Sequence, residues 1–351
     1  MQADQLEFRS LPGLWGEYDQ ITPSMAFKSR TLADAADWQI RLREKIAELL
    51  GGFPEQRCDL SPKVLDILED REFRQELVAI QTQPGEFMPC YVLSPHQKGD
   101  VTLKPVIALH GHGTWGAEAI IRAPEDPLGI ELNQQMNYDY AGQLCRRGFM
   151  VFVPELRGFG KRLEHPDYQE GDAQWISSCY QVGVNALLLG KTLLGMRVYD
   201  VMRLVDYIHT RDENLSDHLG CVGLSGGGMA TLFTTALDIR ITCAIVSGYF
   251  NTFRDSIMAI RHCLCNYIPG IVQIAEMADI AGLVAPRPLL IESGTQDPIF
   301  PVEATRRAYA QLQGIYAVFE ATDKLDIDIF EGDHGWSGTK AYPWLRQWME
   351  I

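Results

Sequence analysis

The chain has 351 residues, 46% of them hydrophobic and 10% aromatic, which is enough apolar surface for a large packed core and excludes intrinsic disorder. A formal net charge of −15 excludes nucleic acid and anionic membranes as partners, since both select clustered Lys and Arg. No apolar run approaches the ~18 residues that span a bilayer; the longest, from Val182 to Met196, is broken by Gly190, Lys191 and Gly195.

Residues 1–60 read as an accessory helical extension. Its N-terminus, MQADQLEFRSLPGLW, lacks the basic stretch and apolar run of a secretory signal. From Leu32 to Leu50 the apolar positions Trp38, Ile40, Leu42, Ile46, Leu49 and Leu50 recur at helical spacing, and Gly51-Gly52 followed by Pro54 ends the helix. This helix is expected to lie against the main body, so the chain is read as one domain, 1–351, with its core in 61–351. Lys63 to His96 holds short strand-like runs separated by Pro84-Gly85, an antiparallel hairpin region at a sheet edge.

After Asp100 strands and helices alternate. Strands are predicted over 106–110, 149–154, 221–224, 241–247, 288–292 and 325–330. Helices are predicted over 139–147, 195–211, 229–237, 302–313 and from Trp344 onward. Apolar runs this short, alternating with helices, indicate an α/β fold with a mostly parallel, doubly wound sheet. Functional residues in such sheets sit on loops at the carboxyl ends of the strands.

One of those strand ends carries Gly223-Leu224-Ser225-Gly226-Gly227, a G-x-S-x-G nucleophile elbow. A sharp strand-to-helix turn pushes the serine out of the sheet and brings the residues two before and two after it too close for a Cβ. Gly223 and Gly227 remove that clash, and Gly228 lets the helix lie close to the strand. A serine nucleophile needs a base, and the base needs an acid to hold its tautomer. Only His262 and His334 follow Ser225; His334 lies directly after the last predicted strand, whereas His262 lies in a helical-looking insert. Among the acids between them, Asp297 occupies the loop after the strand PLLIE, Glu292 lies inside that strand, and Asp333 neighbours His334. Ser225, Asp297 and His334 therefore form the candidate catalytic set.

An oxyanion hole is expected from the N–H of Gly226 and one N–H of the loop after strand 106–110, where His112 and Gly113 are both candidates. That loop, Gly111 to Gly116, also matches G-x-G-x-x-G, a dinucleotide-binding fingerprint, but bulky Trp115 sits where a phosphate-facing helix would start. Trp115, Tyr249, Phe300 and Trp336 flank the strand ends and are candidate pocket residues. Cys263 and Cys265 are two apart but lack the four ligands that structural zinc requires, so neither a metal nor a cofactor is assigned. The eight cysteines are scattered, some within strands (Cys221, Cys243), as in reduced proteins of the cytoplasm.

With Ser225, Asp297, His334 and the His-Gly-His-Gly loop at 110–113, the chain resembles the α/β-hydrolase superfamily. Within it the chain is similar to dienelactone-hydrolase-like and acetyl xylan esterase-like bacterial hydrolases, over about residue 65 to the end. Glu155 to Arg162 (ELRGFGKR) and the APRPLLIESGTQDPIFP segment carry the same resemblance. It implies Ser225 as nucleophile, His334 as base, Asp297 as its orienter, and Arg157 in a structural ion pair. It further implies hydrolysis of a small-molecule ester through an acyl-enzyme, with a short acyl group. A serine peptidase of the same fold and a dinucleotide-dependent enzyme are the alternatives. True dienelactone hydrolases carry Cys where this chain has Ser225, which favours ester over lactone chemistry. Residues 250–281 would form a small lid. Oligomeric state has no signature in the sequence.

Overall fold

The structure, a computed structural model, describes residues 8–96, 102–172, 175–211, 213 and 215–349. Two helices open it: α1 (Ser10–Tyr18) and α2 (Leu32–Leu49). Three strands follow, β1 (Lys63–Glu69), β2 (Phe73–Gln83) and β3 (Glu86–Pro95). The alternating part runs β4 (Lys104–Leu109), α3 (Ala117–Ile121), α4 (Pro127–Met136), α5 (Tyr140–Arg146), β5 (Phe149–Pro154), α6 (Cys179–Leu188) and α7 (Leu193–Ile208). It continues with β6 (Gly220–Leu224), α8 (Gly226–Leu237), β7 (Cys243–Ser247), α9 (Ile271–Ile274) and α10 (Met277–Gly282). The last elements are β8 (Leu289–Gly294), α11 (Val302–Val318), β9 (Leu325–Phe330) and α12 (Ala341–Trp348).

The strands form one nine-stranded sheet in the order β1-β2-β3-β5-β4-β6-β7-β8-β9. The edge β1-β2-β3 and its junction with β5 are antiparallel. From β5 onward every pairing is parallel. The apolar runs of the central strands are explained by burial on both faces. Along β4, Val106 and Ala108 join one hydrophobic cluster while Ile107 and Leu109 join the other. Successive side chains of a strand point to opposite faces, so a strand covered on both sides has no polar positions to alternate with.

The N-terminal extension is fastened to this body. Ala35, Trp38, Leu42 and Ile46 of α2 are buried in the larger cluster. Gln39 Nε2 donates to Gly282 O at 2.8 Å and Ala285 O at 2.7 Å, and Arg43 donates to Ala236 O and Leu283 O. Ile40, expected on the inner side, is instead 56% exposed. It stands two residues from Trp38 and Leu42, so the helical turn carries it to the outer face. Predicted and observed helix ends differ where caps decide them: α7 starts at Leu193 because Thr192 Oγ1 accepts from Gly195 N at 3.0 Å. Among the described residues no helix is long and apolar enough to cross a membrane.

Candidate active site

The turn between β6 and α8 holds Ser225 at φ +59° and ψ −119°, a strained conformation for a residue with a side chain. Its neighbours allow it. A Cβ on Gly223 would sit 2.4 Å from the carbonyl carbon of Gly227, the predicted clash across the turn. A Cβ on Gly227 would sit 1.8 Å from Leu109 O, so this glycine answers to the adjacent strand β4 rather than to Gly223. Gly228 faces Ser247 O in the same way, at 2.6 Å.

The loop after β8 carries Asp297, which is buried. Its Oδ1 accepts from the N–H groups of Ile299 at 2.8 Å and Phe300 at 3.0 Å. Those bonds turn Oδ2 toward the loop after β9, where it accepts from His334 Nδ1 at 2.7 Å. A carboxylate only accepts, so the imidazole proton stays on Nδ1 and Nε2 keeps its lone pair. That Nε2 is buried and has no partner among the described residues. The His334 ring stacks on Phe300, with centroids 5.8 Å apart and planes 22° apart. Asp333 only accepts from the His334 main-chain N–H. Glu292, inside β8, accepts from Gly338 N at 3.1 Å, and burial pushes its carboxyl up to about 8.

Ser225 and His334 both line a cavity of about 670 Å³ together with His112, Gly226, Tyr249 and Phe300. Residues 260–264 and Tyr267 of the insert between β7 and α9 cover one side of it, and Trp175 and Tyr180 flank another. Gly226 begins α8, so its N–H belongs to a helix N-terminus with no intrahelical acceptor.

No family model matches the chain. A curated relative in Bacillus subtilis (strain 168), named "Putative hydrolase YtaP", is 27% identical over 290 residues, covering 80% of this chain and 89% of its own. Among solved structures, one described as "a putative acetyl xylan esterase" from Bacteroides fragilis NCTC 9343 superposes with a TM-score of 0.79. It is 17% identical and covers 100% of this chain and 97% of its own. A glucuronoyl esterase from Solibacter usitatus superposes with a TM-score of 0.65 at 13% identity, covering 95% of this chain and 98% of its own. The chain has the α/β-hydrolase fold.

In this fold the loop after β4 lies against the elbow. A Cβ on Gly226 would meet the His112 ring at 2.7 Å and the His112 main-chain nitrogen at 3.7 Å, which brings that N–H beside the start of α8. Gly111 N donates to Tyr138 Oη at 2.7 Å. Gly113, the other oxyanion candidate, lies outside the cavity lining, because the loop turns away after His112 and its carbonyl accepts from Gly116 N at 3.3 Å. Two aromatic candidates also lie outside. Trp115 packs on the apolar cluster behind the loop. Trp336 is buried beneath the site, stacked on Tyr140 at 4.7 Å with its N–H on Tyr342 Oη. Two residues beyond His334, its side chain drops to the inner side of the loop.

The dinucleotide alternative meets a carboxylate. Buried Glu155 accepts from Ala117 N at 3.0 Å, occupying the N-terminus of α3 where a pyrophosphate would have to sit. Glu155 also lies 3.2 Å from His110 Nε2, which accepts from Leu156 N at 3.0 Å, so His110 is a buried structural histidine. Arg157 forms the expected ion pair, bidentate to Asp200 at 2.8 and 3.0 Å and also bound to Glu86 at 2.6 Å.

Most of the lining carries no signal in the sequence, and His262, Trp175 and Tyr180 illustrate why. His262, set aside as a base, lies in the cavity with its ring 5.7 Å from Phe300, a buried unpartnered Nε2, and a pKa lowered by burial. Trp175 and Tyr180 come from the β5–α6 connection and the start of α6, where nothing local marks an aromatic side chain as facing a cavity.

Proposed function

We propose that this protein hydrolyses carboxylic esters of small molecules by two-step acyl transfer, with Ser225 as nucleophile, His334 as general base and Asp297 as its orienter. The observation that carries the reading is the His334 imidazole, which lines the same cavity as Ser225: Nδ1 is bound to Asp297 at 2.7 Å, and Nε2 has no partner among the described residues. Ser225 Oγ attacks the ester carbonyl carbon while His334 Nε2 takes its proton. The N–H groups of Gly226 and His112 receive the developing oxyanion. The tetrahedral adduct then breaks its C–O bond to the alcohol, which leaves with the proton from His334. Water, deprotonated by the same imidazole, attacks the acyl-serine and releases the acid and free Ser225.

The names carried by the structural neighbours, acetyl xylan esterase and glucuronoyl esterase, support an ester rather than a peptide as substrate. A short acyl group suits the side chains packed about the elbow, with Tyr249 and Phe300 5.4 Å apart. Its eight cysteines, all unpaired, suit action in a reducing compartment such as the cytoplasm. The test is a series of aryl esters of increasing acyl length, with a short peptide amide alongside, on wild type and Ser225→Ala. The reading expects kcat/KM to be greatest for acetyl, to fall with length, to be negligible for the amide, and to vanish in the variant. Equal turnover in the variant, or amide cleavage exceeding ester cleavage, would overturn it.

A further inference from the structure

His112 packs the Nδ1 edge of its ring on Gly226 of the elbow and points the opposite edge of the ring, Nε2, into a group of thiols. Its Nε2 lies 3.2 Å from Cys265 Sγ, and Cys265 Sγ lies 3.2 Å from Cys263 Sγ. A third thiol, Cys179 at the start of α6, belongs to the same cluster. The ligand atoms of His112, Cys179 and Cys263 all lie within 4.8 Å of one another. Zinc binds Cys at about 2.3 Å and His at about 2.0–2.1 Å, so tetrahedral ligands stand roughly 3.3–3.8 Å apart. His112, Cys179 and Cys263 lie within 4.8 Å of one another, a little wider than that, and Cys265 touches two of them; together they supply three sulfurs and one imidazole nitrogen, the soft donor set that zinc favours over Mg²⁺ or Ca²⁺.

A second observation points to the same place. Arg197 is fully buried, and among the described residues no carboxylate pairs with it. It donates from Nη2 to Cys179 Sγ at 3.0 Å and to Arg157 O at 2.6 Å, and its Nη1 has no partner among the described residues. A buried guanidinium is stable only beside compensating charge. Three thiolates around a divalent ion carry one net negative charge, which neutralises Arg197 across the Cys179 sulfur.

We propose that His112, Cys179, Cys263 and Cys265 form a Cys3His site for zinc. The ion would tie together three segments distant in sequence: the loop after β4, the first turn of α6, and the 263–265 turn of the insert covering the cavity. Held through its ring, His112 keeps its main-chain N–H at the start of α8. His112 and Cys263 line the cavity, which gives the ion an entry path.

The test needs no substrate, so its failure and that of the ester-hydrolysis reading are distinguishable. Untagged full-length protein is purified under reducing conditions, equilibrated with zinc, passed through a desalting column and assayed for metal, in parallel with Cys179→Ser/Cys263→Ser. The proposal expects about one equivalent of zinc per chain in wild type and at least tenfold less in the variant. Cobalt loading of wild type alone should give a sulfur-to-cobalt charge-transfer band, a readout that stands even if the variant misfolds. Wild type without stoichiometric zinc and without that band would overturn the proposal. So would a mass lower by two hydrogens per chain, regained on reduction, which would mark the cluster as a disulfide pair.

Discussion

Of the three imidazoles that line the cavity beside Ser225, His334 and His112 differ most in what holds their rings. His334 hands Nδ1 to the buried carboxylate of Asp297 and leaves Nε2 buried and without a partner among the described residues. His112 brings Nε2 to a thiol, burial pushes its pKa down to about 4, and its Nδ1 edge and main-chain nitrogen both lie against Gly226 of the elbow. What binds one ring nitrogen decides what the other is free to do, so the proposed reading gives His334 the work of a base and His112 that of an anchor. Asp297 can hold His334 because two backbone N–H groups fix its carboxylate first.

Mutations that separate the two histidines test this contrast. Ser225→Ala should cost the most, on the order of 10⁴–10⁶ in kcat for a short-chain ester, with the circular dichroism spectrum unchanged. Asp297→Asn should cost on the order of 10³–10⁴, because an amide can donate and so no longer enforces the Nδ1–H tautomer; a loss under tenfold would mean that the carboxylate does not orient the ring. His112→Gln keeps the main-chain N–H and removes only its anchor, so kcat should fall by about 3–30-fold with KM nearly constant. A loss as deep as that of Asp297→Asn would break the contrast by giving His112 a direct part in proton transfer.

The smallest effect concerns stability. Buried Glu292 titrates near 8 in the folded protein against 4.5 as a free side chain. The folded state holds this proton more tightly, so the stabilisation is complete below pH ~4.5 and is lost as pH rises toward 8, by on the order of a few kcal/mol. Glu292→Gln should flatten that decline, raising Tm relative to wild type at pH ~8.5 but not at pH ~5. Parallel Tm curves for the two proteins would show that Glu292 is not the group responsible.

Much of this arrangement was legible in the sequence because it rests on local chemistry. The strand 325–330 and the turn at Gly85 appear where their residues indicate, since short apolar runs and turn residues carry their own signal. Ser225 and the glycines around it are legible because a backbone clash leaves few residues able to fill those positions. The ring partners of His112 were not legible. Cys179 and Cys263 are distant in sequence, and only the packing of α6 against the insert turn at Leu264–Asn266 brings them together. Of the four aromatic candidates Tyr249 and Phe300 line the cavity, whereas Trp336 does not for a related reason: a strand-end position places it in the right loop, but packing on Tyr140 decides which way it points.

The most direct measurement is the intact mass of the protein after exposure to a fluorophosphonate, followed by peptide mapping. The account predicts one phosphonyl group per chain, carried by Ser225, absent from Ser225→Ala and at least a hundredfold slower to form in His334→Gln. An unmodified wild-type chain, or an adduct that persists after Ser225→Ala, would contradict it.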